Sequence, residues 1–170
     1  MNQIASFEKV PYEQFASDSK KFSALLSPEC VKGIWEVLPL PRRSTAGSAG
    51  YDFVIPFDCV LEPGESALFP TGIRAKIEPG WVLMLYPRSG LGFKYRMQLD
   101  NTTGVIDSDY YNADNYGHIM AKITNDSRDK KVLKLTAGDR FMQGIFFPYG
   151  ITHDDTATNN RTGGFGSTGR

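Results

Sequence analysis

The chain has few of the residues from which metal centres and secreted scaffolds are built. Cys30 and Cys59 are its only cysteines and His118 and His153 its only histidines. None stands in a CxxC or clustered spacing, which argues against protein-ligated zinc and against a disulfide framework. No apolar run approaches the ~18 residues of a membrane span, and MNQIASFEKV lacks the basic-then-apolar order of a secretory leader. Excess charge is missing too. With 19 basic and 19 acidic side chains there is no net field to attract DNA, RNA or an anionic membrane, so anion recognition has to be local. These absences predict a cytoplasmic protein without nucleic-acid or membrane partners.

What is present suits one globular domain: 170 residues, 41% of them hydrophobic, suffice to bury roughly 70% of the unfolded surface. The spacing of Phe15, Phe22, Leu25 and Leu26 predicts a short helix between Tyr12 and Leu26, ended by Pro28. From Ile34 to Tyr149 the pattern shifts to short apolar or alternating runs: IWEVLPL, YDFVIPF, SALFPTGI, WVLMLYP, HIMAKIT, KVLKL and FMQGIFFPY. Turn sequences EPGE, EPGW, NDSRDK and AGDR separate them, the spacing of an all-β sandwich or barrel. After Ile151 apolar residues almost vanish, Phe165 excepted. The expected organisation is a partly helical N-terminal extension over 1–33, a β domain over 34–151 and a mobile C-terminal arm over 152–170.

Several segments carry chemistry. RTGGFGSTGR, Arg161 to Arg170, is either a polar tail or an arm that wraps backbone N–H groups around phosphate while an aromatic ring covers a base. In PRSGLGFK, Arg88, Ser89 and Gly90 bring a guanidinium, a hydroxyl and accessible backbone N–H groups to one strand end, a phosphate site or a plain surface turn. In LDNTTGVIDSDYYN, strand alternation points Asp107 and Asp109 to one face and Tyr110 to the other. The two acids are a base with its structural partner, or caps of a solvated hairpin. In GDRFMQ, Gln143 reads as a core amide and Asp139 with Arg140 as a turn ion pair.

The segments SAGYDF, PRSG, GVIDSDY, GDRFMQ and GGFGSTG follow one another in this order. That ordered set resembles the five motifs of the homotrimeric dUTP pyrophosphatase (dUTPase) family, from about Thr45 to Gly169. The resemblance implies an all-β fold, a jelly-roll-like antiparallel β barrel. It implies a homotrimer with sites at subunit interfaces, and hydrolysis of dUTP to dUMP and pyrophosphate, which keeps uracil out of DNA and supplies dUMP for thymidylate synthesis. In that likeness uracil sits in a β-hairpin opened by the third motif, lined by Gly104, Val105 and Ile106. Asn101 there reads the O4 and N3–H edge with its paired acceptor and donor, and Met120 adds a backbone contact. Tyr110 matches the ring beneath deoxyribose that excludes a 2′-hydroxyl. Asp107 matches the carboxylate that deprotonates the attacking water, a task open to an ordinary ionised Asp at neutral pH. Arg88, Ser89, Gly90 and Gln143 match phosphate contacts, and Asp52 matches a supporting acid. Mg²⁺ is held mainly by triphosphate and water, not by a protein cage. Phe165 stacks on uracil while Gly166, Ser167 and Thr168 cover phosphates.

Two departures stand out. Asn160 occupies the place of the fifth-motif Arg and Arg161 follows it, leaving the γ-phosphate contact to the displaced Arg161. About five extra residues, within Tyr111 to Tyr116, separate Tyr110 from Gly117. Two rival readings remain. A dCTP deaminase or bifunctional deaminase-pyrophosphatase requires a Glu where Lys122 stands, and a regulatory protein keeping the fold does not require the intact Asp107, Tyr110 and Phe165. Met1 to Pro28 is the place to look for an additional protein partner.

Overall fold

In the computed structural model the described residues are 2–159 and 163. The chain opens with strand β1 (Ala5–Lys9) and helices α1 (Tyr12–Phe22) and α2 (Pro28–Val37). Strands β2 (Arg42–Arg43), β3 (Tyr51–Val54), β4 (Cys59–Leu61), β5 (Ser66–Pro70), β6 (Ile73–Ile77) and β7 (Trp81–Pro87) follow. A short helix α3 (Ser89–Tyr95) leads to β8 (Met97–Leu99), β9 (Gly104–Ile106) and a 3-10 helix over Ser108–Asn112. Strands β10 (Met120–Asn125), β11 (Leu133–Leu135) and β12 (Arg140–Pro148) complete the fold.

Every ladder is antiparallel. The largest sheet runs β2-β3-β12-β7-β9, a smaller one β5-β10-β8, and β1-β6 and β11-β4 pair as ribbons. The arrangement is jelly-roll-like, with strands in several short ladders around one core. Burial alternates along β6, β9 and β11 as the strand period demands. Phe53, Ile55, Phe69, Leu83, Leu85, Ile106, Ile123 and Phe141 meet in the core.

The N-terminal segment departs from its expected form. Pro28 starts a helix instead of only ending one: it takes the first helical position, where its missing N–H needs no partner, and Ser27 Oγ accepts the Cys30 N–H at 3.2 Å. Val31, Ile34 and Trp35 then share a helical face toward Val10 and Phe15, so the strand expected to begin at Ile34 is the end of α2. A boundary at residue 34 therefore cuts a helix. Residues before it belong to the β structure as well, since β1 pairs with β6 from Ala5↔Ile77 to Lys9↔Ile73. Phe22 joins the helices to the core by stacking on Phe57, with centroids 5.0 Å apart, and tilting against Phe69 at 4.8 Å.

Candidate active site

One face of the largest sheet gathers residues from three separated motifs. Asp52 on β3 stands opposite Gln143 on β12, which stands opposite Tyr86 on β7. Two residues past Tyr86 the same face carries Arg88. Arg140 would fall on the other face, three residues from Gln143, but the register shifts between Arg140 and Met142. The extra residue of this bulge turns Arg140 onto the face of Asp52.

Asp52 is the hub of this group. Its side chain is 6% exposed and accepts hydrogen bonds from Arg88 Nη1, from Ser44 Oγ at 2.9 Å and from Arg140 Nη1 at 3.1 Å. Burial alone would raise its pKa, yet the donors Arg88, Ser44 and Arg140 hold it below the usual carboxylate range. The Arg140 partner is thus Asp52 and not Asp139, whose carboxylate instead accepts the Thr136 N–H at 2.8 Å. Gln143 is half-buried and lies across Gly50, where a Cβ would come within 2.4 Å of its Oε1. Ser89 and Gly90 are exposed at the start of α3, with open space above Gly90. Two oriented guanidinium groups, a hydroxyl and an amide on one face suit phosphate oxygens. In the sequence Arg140 reads as half of a turn ion pair with Asp139, because its place on this face depends on a bulge.

The third motif is laid out differently from the strand expected for it. Only Gly104–Ile106 form β9, and Asp107 caps the 3-10 turn that follows, so alternation does not govern Asp107, Asp109 and Tyr110. Both acids are exposed, and Tyr110 is 2% exposed. The Tyr110 hydroxyl donates to the His118 carbonyl at 2.8 Å and accepts from Asn115 Nδ2 at 2.8 Å. The turn at Asp100–Thr103 joins β8 to β9, which lie in different sheets, β8 pairing with β10 and β9 with β7. It is a crossover between sheets instead of a paired hairpin. Asp100 fixes it, bonding Lys122 Nζ at 2.7 Å and Thr124 Oγ1. Its backbone N–H donates to the Lys122 carbonyl at 2.9 Å. The ladder ends there in a turn, closed by the Thr102 N–H donating to the Leu99 carbonyl at 2.8 Å, with Thr102 at φ +63°. Asn101 is exposed in this turn, and Met120 and Ala121 at the start of β10 are buried.

Asp107 and Arg88 stand at different places along β7. Ile106 pairs with Leu83, so Asp107 lies beside Val82, six residues before Arg88 along β7. At about 3.3 Å per residue they stand roughly 20 Å apart. Arg161, Phe165, Gly166, Ser167 and Thr168 lie outside the described residues. Among the described residues, no group of three or more His, Cys, Asp or Glu side chains is placed to hold a metal ion, and no helix is long and apolar enough to cross a membrane.

Residues 36–169 match the dUTPase family model. The chain is 42% identical over 133 residues to the deoxyuridine 5′-triphosphate nucleotidohydrolase of Lactococcus lactis subsp. lactis, covering 76% of this chain and 87% of that protein. It is 41% identical over 139 residues to that of Pseudomonas entomophila, covering 77% and 87%. Among solved structures, the dUTPase from Streptococcus mutans aligns with a TM-score of 0.63 at 33% identity, over 86% of this chain and 98% of that one. A mutant dUTPase from phage phi11 of S. aureus, described as coordinating a structural Mg(II) ion, shares the fold with a TM-score of 0.58 at 23% identity, over 71% and 90%.

Proposed function

Because the chain belongs to the dUTPase family and is a dUTP diphosphatase, we propose that it divides the hydrolysis of dUTP between neighbouring copies of itself. The roughly 20 Å between Asp107 and Arg88 carries this reading. A water poised at the α-phosphorus and the phosphates it leaves behind lie within a few ångströms of each other, so one chain does not serve both. A second copy supplies the missing half, and a closed ring of copies gives each site the same two halves. The homotrimer of the family meets that requirement.

In this reading the triphosphate lies on Arg88, Ser89, Gly90, Arg140 and Gln143, with Asp52 holding both guanidinium groups in place. Uracil meets the Asn101 amide and the Met120 backbone of another copy, beside Gly104, Val105 and Ile106. Cytosine presents the reversed donor and acceptor pattern there and is rejected. Tyr110, locked at its hydroxyl by two hydrogen bonds, is a wall that does not yield to a 2′-hydroxyl. Asp107 takes a proton from water as the water oxygen bonds to the α-phosphorus. The bond from that phosphorus to the α–β bridging oxygen breaks, and pyrophosphate leaves. Arg161, Phe165, Gly166, Ser167 and Thr168 add the base stack and further phosphate contacts. With no cluster of His, Cys, Asp or Glu placed for a metal among the described residues, Mg²⁺ would be held by the substrate's phosphate oxygens and water and would supply charge neutralisation there. A cytoplasmic setting suits the two free thiols, Cys30 and Cys59. Lys122, in its ion pair with Asp100, leaves no carboxylate for deamination at that position.

Mixing tests the division. Asp107→Asn and Arg88→Gln chains are each expected to be nearly inactive alone. Refolded together at equal ratio, they recover about a quarter of the wild-type sites, those drawing an intact half from each chain. No recovery in mixed assemblies would overturn the shared site. Pyrophosphate release across dUTP, dCTP, dTTP and UTP with Mg²⁺ tests the substrate, and ammonia release from dCTP would instead mark a deaminase.

A further inference from the structure

Two features remained without a role: the N-terminal extension and the inserted loop between Tyr110 and Gly117. The structure joins them. Asp18 on α1 is 2% exposed and faces His118, which is fully buried, at 2.6 Å from Nδ1. His118 Nε2 accepts the Gly72 backbone N–H at 2.8 Å. A backbone N–H only donates, so Nε2 carries no proton and Nδ1 carries one, which it donates to Asp18. Gln14 Nε2 and Lys21 Nζ complete the carboxylate at 2.7 and 2.6 Å. The ring is therefore fixed on both sides, and with it the His118 carbonyl that accepts the Tyr110 hydroxyl.

A second brace acts on the next residue of the loop. Glu8 on β1 accepts from the Tyr111 hydroxyl at 2.8 Å and from Arg74 Nη2 at 2.7 Å, and the Arg74 guanidinium lies 4.3 Å from the Tyr111 ring centroid. Between the braces the loop folds tightly on itself. Gly117 has φ +67°, and a Cβ there would lie 2.7 Å from the Tyr110 carbonyl oxygen, so only glycine fits. Both carboxylates precede residue 36, where the family match begins.

We propose that Glu8 and Asp18 are positioning residues of the active site, bracing the loop from Asp107 to His118 so that Tyr110 holds the sugar-side wall that rejects a 2′-hydroxyl. This rests on reading Tyr110 as the sugar-facing residue. Removal of Asp18 takes the acceptor from a buried N–H, frees the His118 ring and loosens the carbonyl on which Tyr110 hangs. The extension is then a selectivity device for the reaction, built on the segment that follows the general base Asp107.

The test compares kcat/KM for dUTP and UTP in the full-length protein. Asp18→Ala is expected to lower the dUTP/UTP ratio by about tenfold or more, mainly through improved use of UTP, the size of effect a steric wall commands. Asp18→Asn keeps an acceptor for Nδ1–H and restores most of the ratio. Tyr111→Phe, which only removes a hydroxyl at a half-buried position, lowers the ratio by about threefold and decides the matter if Asp18→Ala does not fold. Loss of Tm with dUTP and UTP turnover falling in proportion would overturn the proposal, leaving the braces as fold stability alone. A wild-type protein that uses UTP as well as dUTP would instead sink the reading of Tyr110.

Discussion

The two halves of the site are held by opposite means. On the phosphate half, Asp52, Arg140 and Gln143 sit on adjacent strands of one sheet with Arg88 directly past the end of β7, and a single buried carboxylate ties the guanidinium groups together. On the base and sugar half, residues 107–118 form almost no ladder, and side chains from the distant N-terminus hold them. Charge-assisted bonds within a sheet give a rigid cradle for an anion whose geometry does not vary. A loop held from outside gives a wall whose position is set by remote residues, and selectivity is tuned there without touching the phosphate machinery.

The largest effect that separates the halves is chemical. Asp107→Asn is expected to lower kcat by about 10²–10⁴, the usual worth of a general base, with Tm and nucleotide binding nearly unchanged. Pyrophosphate release and calorimetry check it. Near-normal turnover would move the base elsewhere, with Asp109 the first suspect. Arg140→Ala is the contrast on the phosphate side: Arg88 and Ser44 still hold Asp52, so the loss is about tenfold in kcat/KM, the cost of one charge-assisted bond.

A stability measurement breaks the comparison another way. Phe15 on α1 is fully buried and stacks on Phe57 with centroids 6.0 Å apart. Phe15→Ala is expected to cost about 3–5 kcal/mol in denaturant unfolding, with one cooperative transition. Two separate transitions would show that the helices unfold as an appendage, and the braces would lose their footing.

Why one half was easier to read than the other follows from where its information lies. The alternation of YDFV, WVLMLYP and FMQGIFFP announces β3, β7 and β12, and the short motifs on them mark Asp52, Arg88 and Gln143. Arg140 escaped because its face depends on a bulge, which changes the count along β12 without changing its composition. The end of α2 escaped because Ile34 and Trp35 open an apolar run that reads equally as a strand. Nothing local marks Asp18 and His118, which lie one hundred residues apart and find each other only when α1 packs on the β core.

Acid titration compares the carboxylates that anchor the two halves. Both are pulled against burial to pKa values below the ordinary range, Asp18 well below by His118, Lys21 and Gln14, and Asp52 by Arg88, Ser44 and Arg140. A lowered native pKa means that the unfolded chain binds the proton first. The stabilisation is therefore complete above the unfolded value of about 3.9 and is lost as pH falls through the native one. Asp18→Asn should flatten the loss of stability below pH ~4 more than Asp52→Asn does. Equal slopes in the two variants would show that the brace on the loop is no stiffer than the hub of the phosphate face.

The smallest effect is a rate difference between two native reporters, one in each region. Cys30 lies exposed on α2, whereas Cys59 is buried on β4 and its thiol is pushed up to about 11 by burial and by the charge of Glu65. Only the thiolate attacks a disulfide reagent, so at pH 8 Cys30 should react promptly and Cys59 only through opening of the β core. If the helices and the core open as one unit, Asp18→Ala speeds the Cys59 reaction by the same factor by which it raises the global unfolding constant. If the braces govern only the loop, Asp18→Ala changes the dUTP/UTP ratio and leaves the Cys59 rate within about twofold of wild type, since openings that do not expose β4 do not expose its thiol. A Cys59 rate that rises far more than global stability falls would place a local breach between α1 and β4, and the extension would then support the core chiefly and the site only in consequence.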